Sequence, residues 1–296
     1  MYNVGVVGLG DMGSGLAKNL IKNKFNTFGL DINKERIKDF IKIGGKPTSK
    51  LSEIANHSEI VFVMVMDGNQ AKSVILGKGG LVENLKKESV IILSATIKPS
   101  EVREIDKEMR DSDIYLIDSP VSGGYSGAQN GTLTMMAACE YEILDKCKPA
   151  MEAVSKTIHH VGKKAGDGQT VKACLQSLIG SIFSATFEAA VLAAKAGVKG
   201  EILYNVFSTS GASCNVSNTA LENIIDRKFF GTGSHISTMH KDLNISLDLA
   251  NELGVPMNMA SIAMQQFDKG KNKYPNGDNW IVTKVIEEIV GVELHR

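Results

Sequence analysis

Near the start of the chain, Gly8-Leu9-Gly10-Asp11-Met12-Gly13 has the composition and spacing to bind a diphosphate. It follows the apolar run Val4-Gly5-Val6-Val7 and precedes Leu16-Ala17-Lys18-Asn19-Leu20, so a tight turn joins a buried strand to a helix start. In that setting Gly8 permits the turn, Gly10 lets a pyrophosphate approach the backbone, and Gly13 lets helix and strand pack closely. Asp31 ends a second apolar run, Thr27-Phe28-Gly29-Leu30, about twenty residues on, where such folds hold an adenosine ribose. A carboxylate there accepts hydrogen bonds from both ribose hydroxyls and repels a 2′-phosphate, which predicts NAD and disfavours NADP. Asn33 is then placed to cap the helix that opens at Lys34.

A nicotinamide enzyme also needs a group that moves the substrate's hydroxyl proton and donors that orient the substrate. Gln169, Lys172 and Gln176 fall at i, i+3 and i+7, one face of a helix whose other residues are largely apolar. On spacing alone that stripe faces either solvent or a polar site; its place beside a glycine-rich joint favours the site, where partial desolvation would lower a lysine's pKa. Asp118-Ser119-Pro120-Val121-Ser122-Gly123-Gly124 follows a strand. Its Ser122 hydroxyl and the amides of Gly123 and Gly124 would seat a carboxylate, although a plain connecting loop has similar composition. Thr96, after the run Val90–Leu93, falls near the nicotinamide end by position, and would equally serve as a cap ahead of Pro99. Lys241 has no functional weight from spacing, because residues i and i+1 on a helix, here Lys241 and Asp242, do not face each other.

The elements that must position these residues follow from the pattern of the 296 residues. Up to residue 162, short apolar runs at Val4–Val7, Thr27–Leu30, Ile60–Val65, Val90–Leu93, Tyr115–Ile117 and Leu133–Ala138 alternate with amphipathic segments such as Lys34–Lys42, Pro99–Met109 and Tyr141–Ala153. That alternation predicts a doubly wound, mostly parallel α/β domain of Rossmann type over 1–162. From 163 to 296 strand signals vanish, and the long run Gln169–Ala196 opens an all-helical domain for substrate and oligomer contacts. With 33 basic and 33 acidic residues the chain is charge-balanced, so no nucleic-acid partner is expected. Only five arginines occur, unclustered, which argues against a heavily phosphorylated substrate. The four cysteines lack metal-type spacing, and Cys139 and Cys174 sit in apolar runs as expected core residues. A first strand from residue 2 leaves no room for a leader and no apolar stretch is long enough to span a bilayer, so a cytoplasmic protein without a membrane partner is expected.

Together these motifs resemble the β-hydroxyacid dehydrogenase (3-hydroxyisobutyrate dehydrogenase-like) family over nearly the whole chain, most closely its L-threonate branch. Gly8–Gly13 with Ala17-Lys18-Asn19-Leu20 resembles the cofactor signature and Asp118–Gly124 the substrate signature. Gly166-Asp167-Gly168-Gln169 with Lys172 resembles the catalytic signature, and Lys241-Asp242-Leu243 the segment that closes on the cofactor. The resemblance implies that Lys172 is the general acid/base and that Lys241 reaches the nicotinamide side. It further implies that Thr96 contacts the cofactor, and that Ser122, Gly123, Gly124 and Gln176 hold the substrate. Leu175 departs from the pattern, standing where most members carry asparagine. The expected reaction is NAD-dependent hydride transfer involving a C3–C4 hydroxy acid, with copies assembled as a homodimer or homotetramer. A semialdehyde-acid reductase of succinic or tartronic type, or a non-catalytic NAD-binding regulator, remains as an alternative.

Overall fold

The computed structural model describes residues 3–296, so the expected strand start at residue 2 lies outside the described residues. Two compact units emerge, Met1–Lys172 and Ala173–Arg296. The division falls inside a helix, beyond the glycine joint at residues 162–168 where composition changes, because the first turn of that helix is fastened to the sheet.

In the first unit the elements run β1 (Asn3–Val7), α1 (Asp11–Lys22), β2 (Asn26–Leu30), α2 (Lys34–Lys42), β3 (Lys46–Pro47), α3 (Leu51–His57), β4 (Ile60–Val63), α4 (Gly68–Leu76) and α5 (Leu81–Asn84). They continue with β5 (Val90–Leu93), α6 (Pro99–Met109), β6 (Tyr115–Asp118), β7 (Val121–Ser122), α7 (Gly124–Asn130), β8 (Leu133–Ala138), α8 (Tyr141–Val154) and β9 (Ser155–Gly162). The strands form one sheet in the order β3-β2-β1-β4-β5-β6-β8-β7, with β9 pairing β8. Pairing is parallel from β3 through β6 and turns antiparallel where β6 and β7 meet β8. Alternate residues feed opposite faces, as the pleat requires: Ile60, Phe62, Val90 and Ile92 pack with Leu16, Leu20 and Met151. Val61, Val63, Ile91 and Leu93 pack with Ile54, Ile75 and Val102 on the other face. The doubly wound reading is correct, and ligands in this architecture gather at the carboxyl ends of the parallel strands.

The second unit is helical. It holds most of α9 (Asp167–Lys195), then α10 (Gly200–Thr209), α11 (Asn215–Ile225), α12 (Ile236–Leu253), α13 (Asn258–Lys273), a 3₁₀ turn over Asn279–Ile281 and α14 (Val282–Val290). Phe183, Phe187 and Phe267 centre its core, with ring centroids 5.9 to 6.5 Å apart. By length and composition α9 could cross a membrane, which corrects the expectation that no such stretch exists; half of that apolar window is buried inside the protein, as in a core helix. Cys174 is exposed rather than buried, whereas Cys139 is buried as expected.

Candidate functional site

The glycine turn spans the end of β1 and the first turn of α1. Gly8 has φ +91°, and the Gly8 amide donates to the Leu30 carbonyl at 2.9 Å, tying the turn to β2. A Cβ on Gly8 would lie 2.1 Å from the Met64 carbonyl oxygen, and one on Gly13 would lie 1.8 Å from that of Gly8. Gly10 differs: a Cβ there would meet only the Arg36 guanidinium, at 3.6 Å. Internal packing therefore forbids side chains at Gly8 and Gly13 but not at Gly10. The missing side chain at Gly10 keeps the helix start open to a ligand, so the turn fits a dinucleotide pyrophosphate. Leu9, Asp11 and Met12 complete the turn, with Leu9 buried and Asp11 exposed in the first turn of α1.

Asp31 lies where the sequence placed it, just past β2. One oxygen accepts from the Leu9 amide at 2.7 Å and the other from the Asn33 amide at 2.7 Å, so the carboxylate braces the turn. Asn33 caps α2 by accepting from the Glu35 amide. Arg36, one turn into α2, stands 3.5 Å from Asp31. Sequence reading gave Arg36 no role; its place beside Gly10 is visible only in three dimensions.

The segment after β6, expected as a loop, contains β7 and the seven-residue helix α7. Gly123 at φ +130° and Gly124 at φ +59° turn the chain from strand into helix. The helix is held by distant contacts: Asn19 Nδ2 donates to the Ala128 carbonyl at 2.8 Å, and Gln129 Nε2 donates to the Asp11 carbonyl at 3.2 Å. Ser122, Gly123 and Gly124 thus occupy a strand-to-helix corner bolted onto the cofactor helix. Gly123 and Gly124 are exposed and Ser122 is half-buried, which leaves the corner accessible to a substrate.

The start of α9 is fastened to the carboxyl edge of the same sheet. The Gln169 side chain donates to the Ala95 carbonyl at 2.9 Å and accepts from the Ile97 amide at 3.2 Å, bracketing Thr96. Thr96 does not cap α6; that N-cap is Lys98, whose amide donates to Glu101 at 2.8 Å. Asp118, fully buried at the end of β6, accepts from the amides of Gly166 at 2.8 Å and Gln169 at 3.2 Å. Burial pushes its pKa up to about 6 against the pull of those hydrogen bonds. Gln169, Lys172 and Gln176 are 1 %, 6 % and 6 % exposed, so the polar stripe is interior and the solvated reading of it is excluded. Thr96, the Ser122 corner and the helix start bearing Lys172 all belong to this edge. A cavity of about 600 Å³ lined by Lys87, Arg110 and Tyr115 lies instead at the opposite end of β6.

Within the second unit, Gln176 Nε2 donates to Asp242 Oδ2 at 2.5 Å and Lys241 Nζ stands 3.0 Å from Asp242 Oδ1. Lys241 and Asp242 do face each other, contrary to the expectation from their i,i+1 spacing, because the long lysine side chain folds back onto its neighbour. Asp242 is buried, so it orders both Gln176 and Lys241. The neighbouring His240 pairs with Asp268 at 2.7 Å, a structural contact away from this cluster. Among the described residues no group of acids, histidines and cysteines could hold a metal ion.

Residues 3–162 match the model described as the NAD binding domain of 6-phosphogluconate dehydrogenase. Residues 166–286 match that described as the NAD-binding domain of NADP-dependent 3-hydroxyisobutyrate dehydrogenase. The chain is 30 % identical over 292 residues to 2-(hydroxymethyl)glutarate dehydrogenase of Eubacterium barkeri, covering 98 % of this chain and 97 % of the relative. It is 30 % identical over 290 residues to L-threonate dehydrogenase of Escherichia coli strain K12, covering 97 % and 96 %. The crystal structure of 3-hydroxyisobutyrate dehydrogenase from Salmonella typhimurium superposes with a TM-score of 0.88 at 27 % identity, covering 96 % of this chain and all of that one.

Proposed function

The chain belongs to the 3-hydroxyisobutyrate dehydrogenase-like (β-hydroxyacid dehydrogenase) family of NAD(P)-dependent oxidoreductases, and on that premise we propose that it oxidises a C3–C4 hydroxy acid with NAD, using Lys172 as general base. It transfers hydride between a nicotinamide and a small hydroxy acid. The observation that carries the residue assignment is the burial of Lys172, one turn beyond a helix start pinned by Gln169 around Thr96 and by Asp118 below the Ser122 corner.

Gly8–Gly13 would hold the pyrophosphate, and Asp31 the adenosine ribose. Thr96 and Lys241 would face the nicotinamide end. When bound, the nicotinamide supplies the hydride acceptor. The Ser122 hydroxyl with the Gly123 and Gly124 amides orients the substrate carboxylate. Lys172 takes the hydroxyl proton as the carbinol C–H electron pair leaves with its hydrogen, and returns a proton in the reverse direction. Gln176, fixed by Asp242, offers a further donor to the substrate. Leu175 puts an apolar side chain beside these groups in sequence and so favours an acid with one fewer polar contact than most members bind. Asp31 supports NAD, because its carboxylate is held in place by two amides and would repel a 2′-phosphate.

Exposed Leu178, Leu192, Met259 and Ile262 support assembly of copies into a dimer or tetramer, and four free thiols fit a reducing, cytoplasmic setting. The test is an NAD-reduction screen over threonate, erythronate, 3-hydroxyisobutyrate, glycerate and 4-hydroxybutyrate, repeated with NADP. Turnover with at least one acid, and a preference for NAD, is the expected result. No turnover across the panel would count against the substrate class, and a preference for NADP against the role of Asp31.

A further inference from the structure

We propose that Asp118 is a positioning residue for the reaction: its buried carboxylate clamps the first turn of α9 and thereby fixes Lys172 relative to the carboxylate seat at Ser122–Gly124. The inference rests on Lys172 being the proton-transfer group.

Asp118 ends β6, and four residues later the same chain reaches Ser122. Its Oδ2 accepts the Gly166 and Gln169 amides across 48 and 51 residues of sequence. One carboxylate therefore sits at the root of the substrate corner and holds the turn that leads to Lys172. A carboxylate suits the task because the first amides of a helix have no intrahelical acceptor and the helix dipole favours negative charge there. It is also an expensive choice. Asp118 is fully buried and its Oδ1 has no partner among the described residues, so an apolar residue would pack at lower cost. The seat leaves no slack: a Cβ on Gly168 would lie 2.6 Å from the Met136 carbonyl oxygen and 2.7 Å from that of Asp118. Loosening the clamp would let the helix start ride away from the strands, and a displacement of about 1 Å at a reacting group costs on the order of 10²-fold in rate.

Other ionisable groups surround Asp118. Cys139, at the end of β8, is pushed up to about 11 by burial and is neutral at pH 7. Arg103 of α6 lies beside Gly166, its guanidinium 3.1 Å from where a Cβ would be. On α9 itself, Asp167 turns its carboxylate to the Lys164 amide at 3.1 Å, and Lys172 follows one turn on. Asp118, pushed up to about 6 by burial, gains its proton as pH falls through that value. The protonated carboxyl is a poorer acceptor for the two amides, so the clamp weakens on the acid side.

The experiment pairs Asp118→Asn, which keeps the shape and removes the charge, with amide exchange on the wild-type enzyme. For Asp118→Asn we expect NADH affinity within about twofold of wild type, kcat/KM for the hydroxy acid lowered at least ~10-fold at pH 7.5, and loss of the wild-type acid limb near pH 6. In wild-type protein, protection of the Gly166 and Gln169 amides should fall as pH drops through about 6, after correction for intrinsic exchange. A folded Asp118→Asn enzyme with wild-type kcat/KM and an unchanged acid limb overturns the proposal. So does uniform protection of those amides from pH 5 to 8, which decides the matter should the variant not fold. The exchange arm reads the clamp without turnover, so failure of the Lys172 assignment would appear separately, as activity retained in Lys172→Ala.

Discussion

At the cofactor turn a Cβ on Gly13 would lie 1.8 Å from a backbone oxygen, whereas at the substrate corner a Cβ on Gly124 would meet nothing within 4 Å. Gly13 has no positive φ, while Gly124 sits at φ +59°. The same residue type thus answers two different demands. Around Gly8 and Gly13, glycine is required by the volume that strand, turn and helix leave. At Gly124 it is required by backbone conformation, and space is plentiful; at Gly123 a φ of +130° is joined by a Leu133 side chain 3.1 Å from where a Cβ would be. The cofactor turn is closed around by backbone at Gly8 and Gly13. The substrate corner is open to solvent and gains its order from α7, which Asn19 and Gln129 fasten to α1.

Substitutions can break that contrast. Gly13→Ala should have the largest effect, abolishing measurable NADH binding by fluorescence titration, because the obstructing atom is backbone and cannot rotate away. Binding within a few-fold of wild type would dissolve the distinction between the two turns. Ser122→Ala probes the corner's chemistry rather than its shape. Losing one hydrogen bond to a charged carboxylate should raise KM for the hydroxy acid ~10-fold or more, with NADH affinity unchanged, as steady-state kinetics would reveal. Gly124→Ala should be mildest, costing on the order of 1 kcal/mol for the left-handed conformation and lowering Tm by a few degrees in a thermal melt. A collapse of the fold from Gly124→Ala would mean that the corner, too, is limited by space.

How much of this was legible in the sequence follows the same division. Helices α2 and α6 occupy the expected Lys34–Lys42 and Pro99–Met109 because an amphipathic period and local start signals set both ends. The glycine turn and Asp31 were legible because strand, turn and acid fall in one short stretch. Strand β4 ends at Val63 rather than Val65, since the apolar run continues past the last paired residue. Helix α7 was hidden because its glycine and serine content reads as loop, and its stability comes from Asn19, more than a hundred residues earlier in the chain. Asp118 meets Gly166 and Gln169 across 48 and 51 residues and Asp242 meets Gln176 across 66, and no spacing rule reports a contact of that kind. Lys241 gained weight from resemblance alone, and its ion pair with Asp242 came only with the fold.

The most direct test of the account compares wild type with Lys172→Ala in a single-turnover experiment, with NAD and the best hydroxy acid from the screen premixed at saturation. NADH binding, measured separately, should be unchanged, because Lys172 takes no part in the glycine turn or in the contacts of Asp31. Formation of NADH in the variant should slow at least ~10²-fold, the scale of a lost general base. An NADH burst in Lys172→Ala at the wild-type rate would contradict the central claim that this buried lysine carries the proton.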